Sequence, residues 1–205
     1  MLKLFGAPGM GSAVAEVVLQ LAIQPYEYVQ TSFWEQNELF AALTKANPQA
    51  KVPTLLFDDG TVMTESAAIV LYFAERVPGL IPSDPAKRAA FLRWMIFIPA
   101  NIYAMFDIGD EPSRWVDGEA EQKALKEKSV EKQKFFWGLM EQDLSPAPYV
   151  LGETMTALDI YIAMVSRWRP GRDWFNEHCP KLAGAVALTE QHPVVATVWE
   201  KNFGK

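Results

Sequence analysis

Short segments near the start of the chain hold residue types that could do chemistry. Glu65-Ser66 stands where a helix begins. Free N–H groups, a hydroxyl and the positive end of a helix dipole suit a carboxylate, and the Glu65 side chain suits an ammonium group. A site for both fits the head of an amino acid or peptide. Simple helix capping by Ser66 uses the same residues. Pro8-Gly9-Met10-Gly11-Ser12 is a turn into another helix. Glycines admit a ligand close to the backbone. A hydroxyl and N–H groups at a helix start would stabilise a thiolate, whose thiol otherwise has a pKa of about 8.5. An N-cap at Ser12 with a flexible lead-in is the alternative. Val52-Pro53-Thr54 opens a strand. Proline cannot donate to a ladder there. A cis bond would present the Val52 backbone to a ligand, and an ordinary edge-strand proline would not.

Scarcities sharpen this picture. The 205 residues include one cysteine and two histidines. A lone cysteine excludes an internal disulfide and any CxxC pair. Cys179, just before Pro180, reads as a small buried residue rather than a reactive one. His178 and His192 show no metal-ligand spacing with it. A thiol for the early turn would therefore come from outside the chain. The net charge of −6 argues against a polyanion such as nucleic acid as partner. The start, Met1 to Gly6, lacks the apolar core of a signal peptide, so a cytoplasmic protein is the default. The most apolar stretch, Ala89 to Phe106, carries Arg93, Pro99 and Asn101. It reads as a buried helix kinked at Pro99 rather than a membrane span.

The elements that would position these residues follow from periodicity. Leu2 to Phe5 reads as a strand. Val14, Val17, Val18 and Leu21 mark one face of a helix that follows Ser12. Pro25 to Val29 is a second strand, and Phe33 to Lys45 a weaker helix. Val52 to Phe57 and Thr61 to Met63 flank the hairpin signal Asp58-Asp59-Gly60. A helix runs from Ser66 through Arg76. The order is βαβαββα, over residues 1–77. Pro78, Gly79, Pro82 and Pro85 make 78–86 a linker. From 87 to 205 the patterns are helical, in about Lys87 to Asp107, Glu119 to Gln142, Thr156 to Trp168, Trp174 to Glu177, Pro180 to Glu190 and a last segment from Val194. The charged run Glu119 to Lys134 is a solvated helix face. A small α/β domain followed by an all-α domain is expected.

Taken together, the motifs resemble those of the cytosolic-type glutathione S-transferase family. Asn47-Pro48-Gln49-Ala50-Lys51-Val52-Pro53-Thr54-Leu55 is similar to the family's stretch into its cis-proline strand. Thr64-Glu65-Ser66-Ala67-Ala68-Ile69 is similar to its Glu-Ser signature. Thr156-Ala157-Leu158-Asp159-Ile160 resembles its capping-box motif in the helical domain. The resemblance implies a thioredoxin-like domain that binds glutathione and a helical-bundle domain that holds an acceptor. It implies glutathione contacts at Gly11, Ser12, Lys51, Val52, Pro53, Glu65 and Ser66. Val52 would pair with the cysteinyl unit, and Glu65 and Ser66 would hold the γ-glutamyl end. It also implies a homodimer, with no metal.

The catalytic position departs from the family's patterns. Phe5 stands where some classes place a tyrosine. Met10 stands where others place a serine, and Gly11 where a bacterial class places a cysteine. Ser12 is the nearest hydroxyl and the expected thiolate donor, with the N–H groups of Gly11 and Ser12 as the alternative. Asn101, Tyr103, Phe106, Arg114, Trp115 and Trp168, with Arg169, are candidates for an acceptor pocket suited to a flat, apolar electrophile. Conjugation of glutathione to such an electrophile, as part of detoxification, is the main expectation. Reduction of peroxides or disulfides, dehalogenation, and ligand binding without turnover are the alternatives.

Overall fold

The computed structural model describes residues 1–31 and 37–204. Packing divides them into two units: residues 1–81 together with those from Thr189 onward, and Pro82–Leu188. The last helix, α10 (Pro193–Phe203), is expected from sequence in the helical domain. It packs instead on α1 (Ser12–Leu21) of the sheet unit.

The sheet unit is built on four strands in the order β2-β1-β3-β4: β1 (Leu2–Gly6), β2 (Tyr26–Gln30), β3 (Thr54–Leu56) and β4 (Val62–Met63). β1 runs parallel to β2 and antiparallel to β3, and β3 is antiparallel to β4. Over residues 1–81 the chain order is the expected βαβαββα, although β3 and β4 are shorter than their apolar runs. Side chains alternate across the sheet. Phe5 and Val29, paired between β1 and β2, pack with Leu43 of α2 (Glu38–Ala46) on one face. Asn37 caps α2 by accepting from the N–H groups of Leu39 and Phe40, each at 3.0 Å. The expected start of this helix at Phe33 lies outside the described residues.

The other face carries α1 and α3 (Ser66–Ala74), which pack on each other. The periodicity of α1 predicts one apolar face, but Ser12 through Leu19 are all buried. α3 and α10 both cover it, which is why its sequence is apolar nearly all round.

In the helical unit, α4 (Pro85–Phe97), a π-helical segment (Ile98–Tyr103) and α5 (Ala104–Asp110) follow without a break. This run is long and apolar enough to cross a membrane by length and composition alone. It buries Phe91, Trp94, Met95, Ile98, Ile102 and Phe106, a stripe at helical spacing, within a bundle. Pro99, the expected kink, sits in the π-helical segment, where the bonding pattern departs from that of the flanking α-helices. α6 (Glu119–Asp143) packs along the π segment and α5. α7 (Ala157–Val165) is buried throughout. It opens with the expected capping box. Asp159 accepts from the N–H and hydroxyl of Thr156 at 2.8 and 2.7 Å, and from the Val150 N–H at 2.8 Å. Burial raises the Asp159 carboxyl above its ordinary value, against those hydrogen bonds, which favour the charge. α8 (Arg172–His178) and α9 (Pro180–Thr189) complete the bundle.

Candidate functional site

Strand register brings the early motifs to one end of the sheet. Phe5 pairs with Thr54, so Val52-Pro53 arrives beside the exit of β1 at Gly6-Ala7. Met63 pairs with Leu55, so Thr64-Glu65 leaves β4 at the same end. Parallel β1 feeds α1 at this end, where helix amides point outward without intrahelical carbonyls.

The turn into α1 is closely defined. The Met10 N–H donates to the Ala7 carbonyl at 3.2 Å, with Pro8 and Gly9 between them and Gly9 at a φ of 76°. Proline followed by a left-handed glycine is the pairing a type II turn requires. Gly6 is also obligatory. A Cβ there would lie 2.7 Å from Tyr28 Cε2 and 2.8 Å from Ser12 Oγ. Burial, and next the charge of Glu16, push the Tyr28 phenol up to about 12.

Ser12 does not sit as expected. Gly11 is the N-cap of α1, and Ser12 is its first helical residue. The Ser12 hydroxyl donates to the Ala7 carbonyl at 3.1 Å and accepts from the Ala7 N–H at 3.1 Å. The side chain is fully buried. Its single proton is thus directed at Ala7, away from any ligand over the turn. The structure thus commits the Ser12 hydroxyl to Ala7.

The approach to Pro53 is organised by Asn47, the first residue of the Asn47–Leu55 stretch, whose side-chain role the sequence does not show. Asn47 Nδ2 donates to the Lys51 carbonyl at 3.2 Å and to Thr54 Oγ1 at 3.0 Å. Its Oδ1 accepts from the Gln49 N–H at 3.0 Å, and Thr54 Oγ1 donates to the Lys51 carbonyl at 2.7 Å. The Val52-Pro53 bond is cis. Lys51 is exposed, Val52 half-buried and Pro53 buried, so the entrance meets solvent along its backbone. An asparagine held between a loop N–H, a loop carbonyl and a threonine hydroxyl is a turn device (Asx) that a motif search passes over.

Glu65 stands at the N-cap of α3 with a φ of 64°. A non-glycine residue in this region costs energy and marks positions where backbone geometry is demanded. Glu65 is exposed and Ser66, the first residue of α3, is half-buried.

In the helical unit, part of the expected acceptor set forms a cluster. Tyr103, Phe106 and Trp168 meet edge to face, with centroids 6.0, 5.1 and 5.4 Å apart. Arg169 stacks over Phe106 and binds Asp110 and the Gly109 carbonyl. Asn101 turns back to the Phe97 carbonyl at 3.0 Å. Arg114 pairs with Glu111, and Trp115 is 55% exposed, so neither is held as the aromatic trio is. Cys179 is buried, as expected, and burial, then the Glu141 charge, pushes its thiol up to about 12.

A four-stranded mixed sheet with a cis-proline entrance, joined to a helical bundle, defines a thioredoxin-like protein with an all-α addition. The family model of the glutathione S-transferase N-terminal domain matches residues 4–80. The chain is 34% identical over 204 residues to the uncharacterized GST-like protein YncG of Escherichia coli (strain K12), covering 98% of both chains. It is 27% identical to glutathione S-transferase GstA of Escherichia coli O157:H7, covering 82% of each. Among solved structures, a glutathione transferase homolog from Sulfitobacter with bound glutathione is 26% identical, at a TM-score of 0.86 over 98% of both chains. The chain belongs to the glutathione S-transferase family.

Proposed function

We propose that the protein binds glutathione at this end of the sheet and joins its sulfur to an apolar electrophile. The observation that carries the reading is the register, which gathers the α1 turn, Val52-Pro53 and Glu65-Ser66 at one sheet end. Glutathione bound to the Sulfitobacter relative supports the ligand. The Val52 backbone would pair with the cysteinyl unit beside Lys51 and Pro53. The α3 N-terminus, with Ser66, would take the γ-glutamyl carboxylate, and Glu65 its ammonium group. The Gly11 and Ser12 amides would face the sulfur, favouring the thiolate by charge and dipole.

The thiol proton passes to solvent. The thiolate then attacks the electrophilic carbon and forms a C–S bond. With a chlorinated nitroarene the C–Cl bond breaks and chloride leaves. The trio Tyr103, Phe106 and Trp168 would offer aromatic edges and faces to such a ring. Holding both reactants together supplies the rest of the acceleration. A homodimer, the family's expected assembly, could use exposed apolar side chains such as Leu92 and Ile96 on α4. A cytoplasmic location, among reduced glutathione, and a detoxifying role fit the same reading.

Ligand binding without turnover has one observation in its favour: the Ser12 hydroxyl is already committed to Ala7. Calorimetry with glutathione, followed by assays with a chlorinated nitrobenzene, cumene hydroperoxide and hydroxyethyl disulfide, separates the readings. Binding with conjugation is expected. Binding without any reaction would leave a carrier, reduction alone would leave a peroxidase or reductase, and no binding would end the proposal.

A further inference from the structure

Burial of α1 on every side strands one carboxylate. Glu16 is fully buried. A buried carboxylate needs a charged partner and filled hydrogen-bond positions. Both come from the last turn of α10. Asn202 Nδ2 donates to Glu16 Oε1 at 2.9 Å, and the Lys201 ammonium binds Oε2. The Tyr26 hydroxyl donates to Oε2 at 3.4 Å.

The same two residues also reach the sulfur turn. Lys201 Nζ lies 3.6 Å from the centroid of the Tyr28 ring, a cation–π contact. The Tyr28 ring and the Ser12 hydroxyl together occupy the space over Gly6. On the other side of the turn, the Asn202 carbonyl lies 4.0 Å from where a Gly9 Cβ would stand. The Ala7–Gly11 turn is therefore backed by α10 at Gly6 through Tyr28, with the Asn202 carbonyl near Gly9. Closing a buried ion pair would require only the Glu16 contacts. The Lys201 contact to Tyr28 goes beyond that requirement.

We propose that Lys201 and Asn202 are positioning residues for the sulfur-binding turn, acting through Glu16 and Tyr28; this rests on the glutathione reading above. They touch neither reactant. They hold the amides of Gly11 and Ser12 at the height the sulfur needs, where misplacement by an ångström weakens a site strongly.

The test uses the full chain with Lys201→Met, Lys201→Arg and Asn202→Ala. Thermal melting, hydrogen exchange at the amides of residues 9–13, and calorimetry with glutathione are read on each. Lys201→Met and Asn202→Ala should still melt cooperatively. Exchange across the turn should accelerate about tenfold, and glutathione binding should weaken about tenfold, with Lys201→Arg close to wild type. Wild-type exchange and affinity in both truncated variants would overturn the proposal. So would a uniform rise in exchange along all of α1, which marks a merely structural ion pair. If Asn202→Ala does not fold, Lys201→Met decides alone, because its side chain is 47% exposed. Absence of glutathione binding by the wild type would sink the functional reading, while the exchange arm still reports whether α10 holds the turn.

Discussion

Ser12 and Ala7 exchange two hydrogen bonds, each 3.1 Å, through one buried hydroxyl. The bond pair closes the turn from β1 into α1, and the Ala7 carbonyl also takes the Met10 N–H. Ser12→Ala removes a partner from a buried N–H, a loss of about 1–3 kcal/mol. The melting temperature should fall by roughly 2–12 °C for a chain of this size. The apparent KM for glutathione should rise severalfold as the turn loosens. A melting temperature equal to wild type would show that the hydroxyl is not structural.

Asn47 fixes the loop that leads into Val52-Pro53 through the Lys51 carbonyl and Thr54. Asn47→Ala should weaken glutathione binding about tenfold in calorimetry, with kcat at saturating glutathione little changed. Asn47→Asp, which keeps the acceptor for Gln49 and loses both donations, should fall nearby. Unchanged affinity in both variants would separate the loop from the ligand.

The ring trio of the helical unit should matter to the acceptor alone. An aromatic pair contributes about 0.5–1.5 kcal/mol beyond its buried area. Trp168→Ala should lower kcat/KM for an aromatic acceptor about tenfold and leave the glutathione Kd unchanged. Equal loss toward an aliphatic acceptor would point to packing damage instead.

Cys179 should resist reagents. Its thiol, pushed up to about 12 from an ordinary 9.0, is protonated at neutral pH and buried. Iodoacetamide should leave it unmodified at pH 8 and alkylate it rapidly in denaturant. The folded state keeps its proton where the unfolded state loses it. The resulting stability is therefore full below pH 9.0 and lost as pH rises toward 12. Stability curves of wild type and Cys179→Ala should diverge in that window, with the wild type falling faster. Parallel curves would contradict the raised pKa.

Much of this was legible in residue types. The alternation of Leu4 and Phe5, the hairpin at Asp58-Asp59-Gly60 and the capping box at Thr156 and Asp159 are local signals, and local physics sets them. The cis-proline entrance and the α3 N-terminus likewise announce themselves by their own residues. What failed was non-local. Ser12 looked like an N-cap because caps are hydroxyls at helix starts, yet its partner is Ala7, five positions back. Its depth was hidden too, because α10 covers α1 from the far end of the chain. The burial of Glu16 has the same origin. Asn47 acts largely through backbone groups, the Lys51 carbonyl and the Gln49 N–H, which carry no residue signature. Among the acceptor candidates, Tyr103 and Phe106 share a helical face, whereas Trp168 joins them only through the bundle.

The most direct measurement is the pKa of glutathione's thiol when bound, followed by thiolate absorbance in the ultraviolet. Gly11 has a φ of −61°, which proline can adopt, so Gly11→Pro deletes one amide, and a thermal melt confirms that the variant folds. If the α1 amides hold the sulfur, Gly11→Pro raises the bound thiol pKa by about one unit, equivalent to about 1.4 kcal/mol. Ser12→Ala, in the same titration, leaves it near the wild-type value. A raised pKa in Ser12→Ala with none in Gly11→Pro would contradict this assignment and return the role to the hydroxyl.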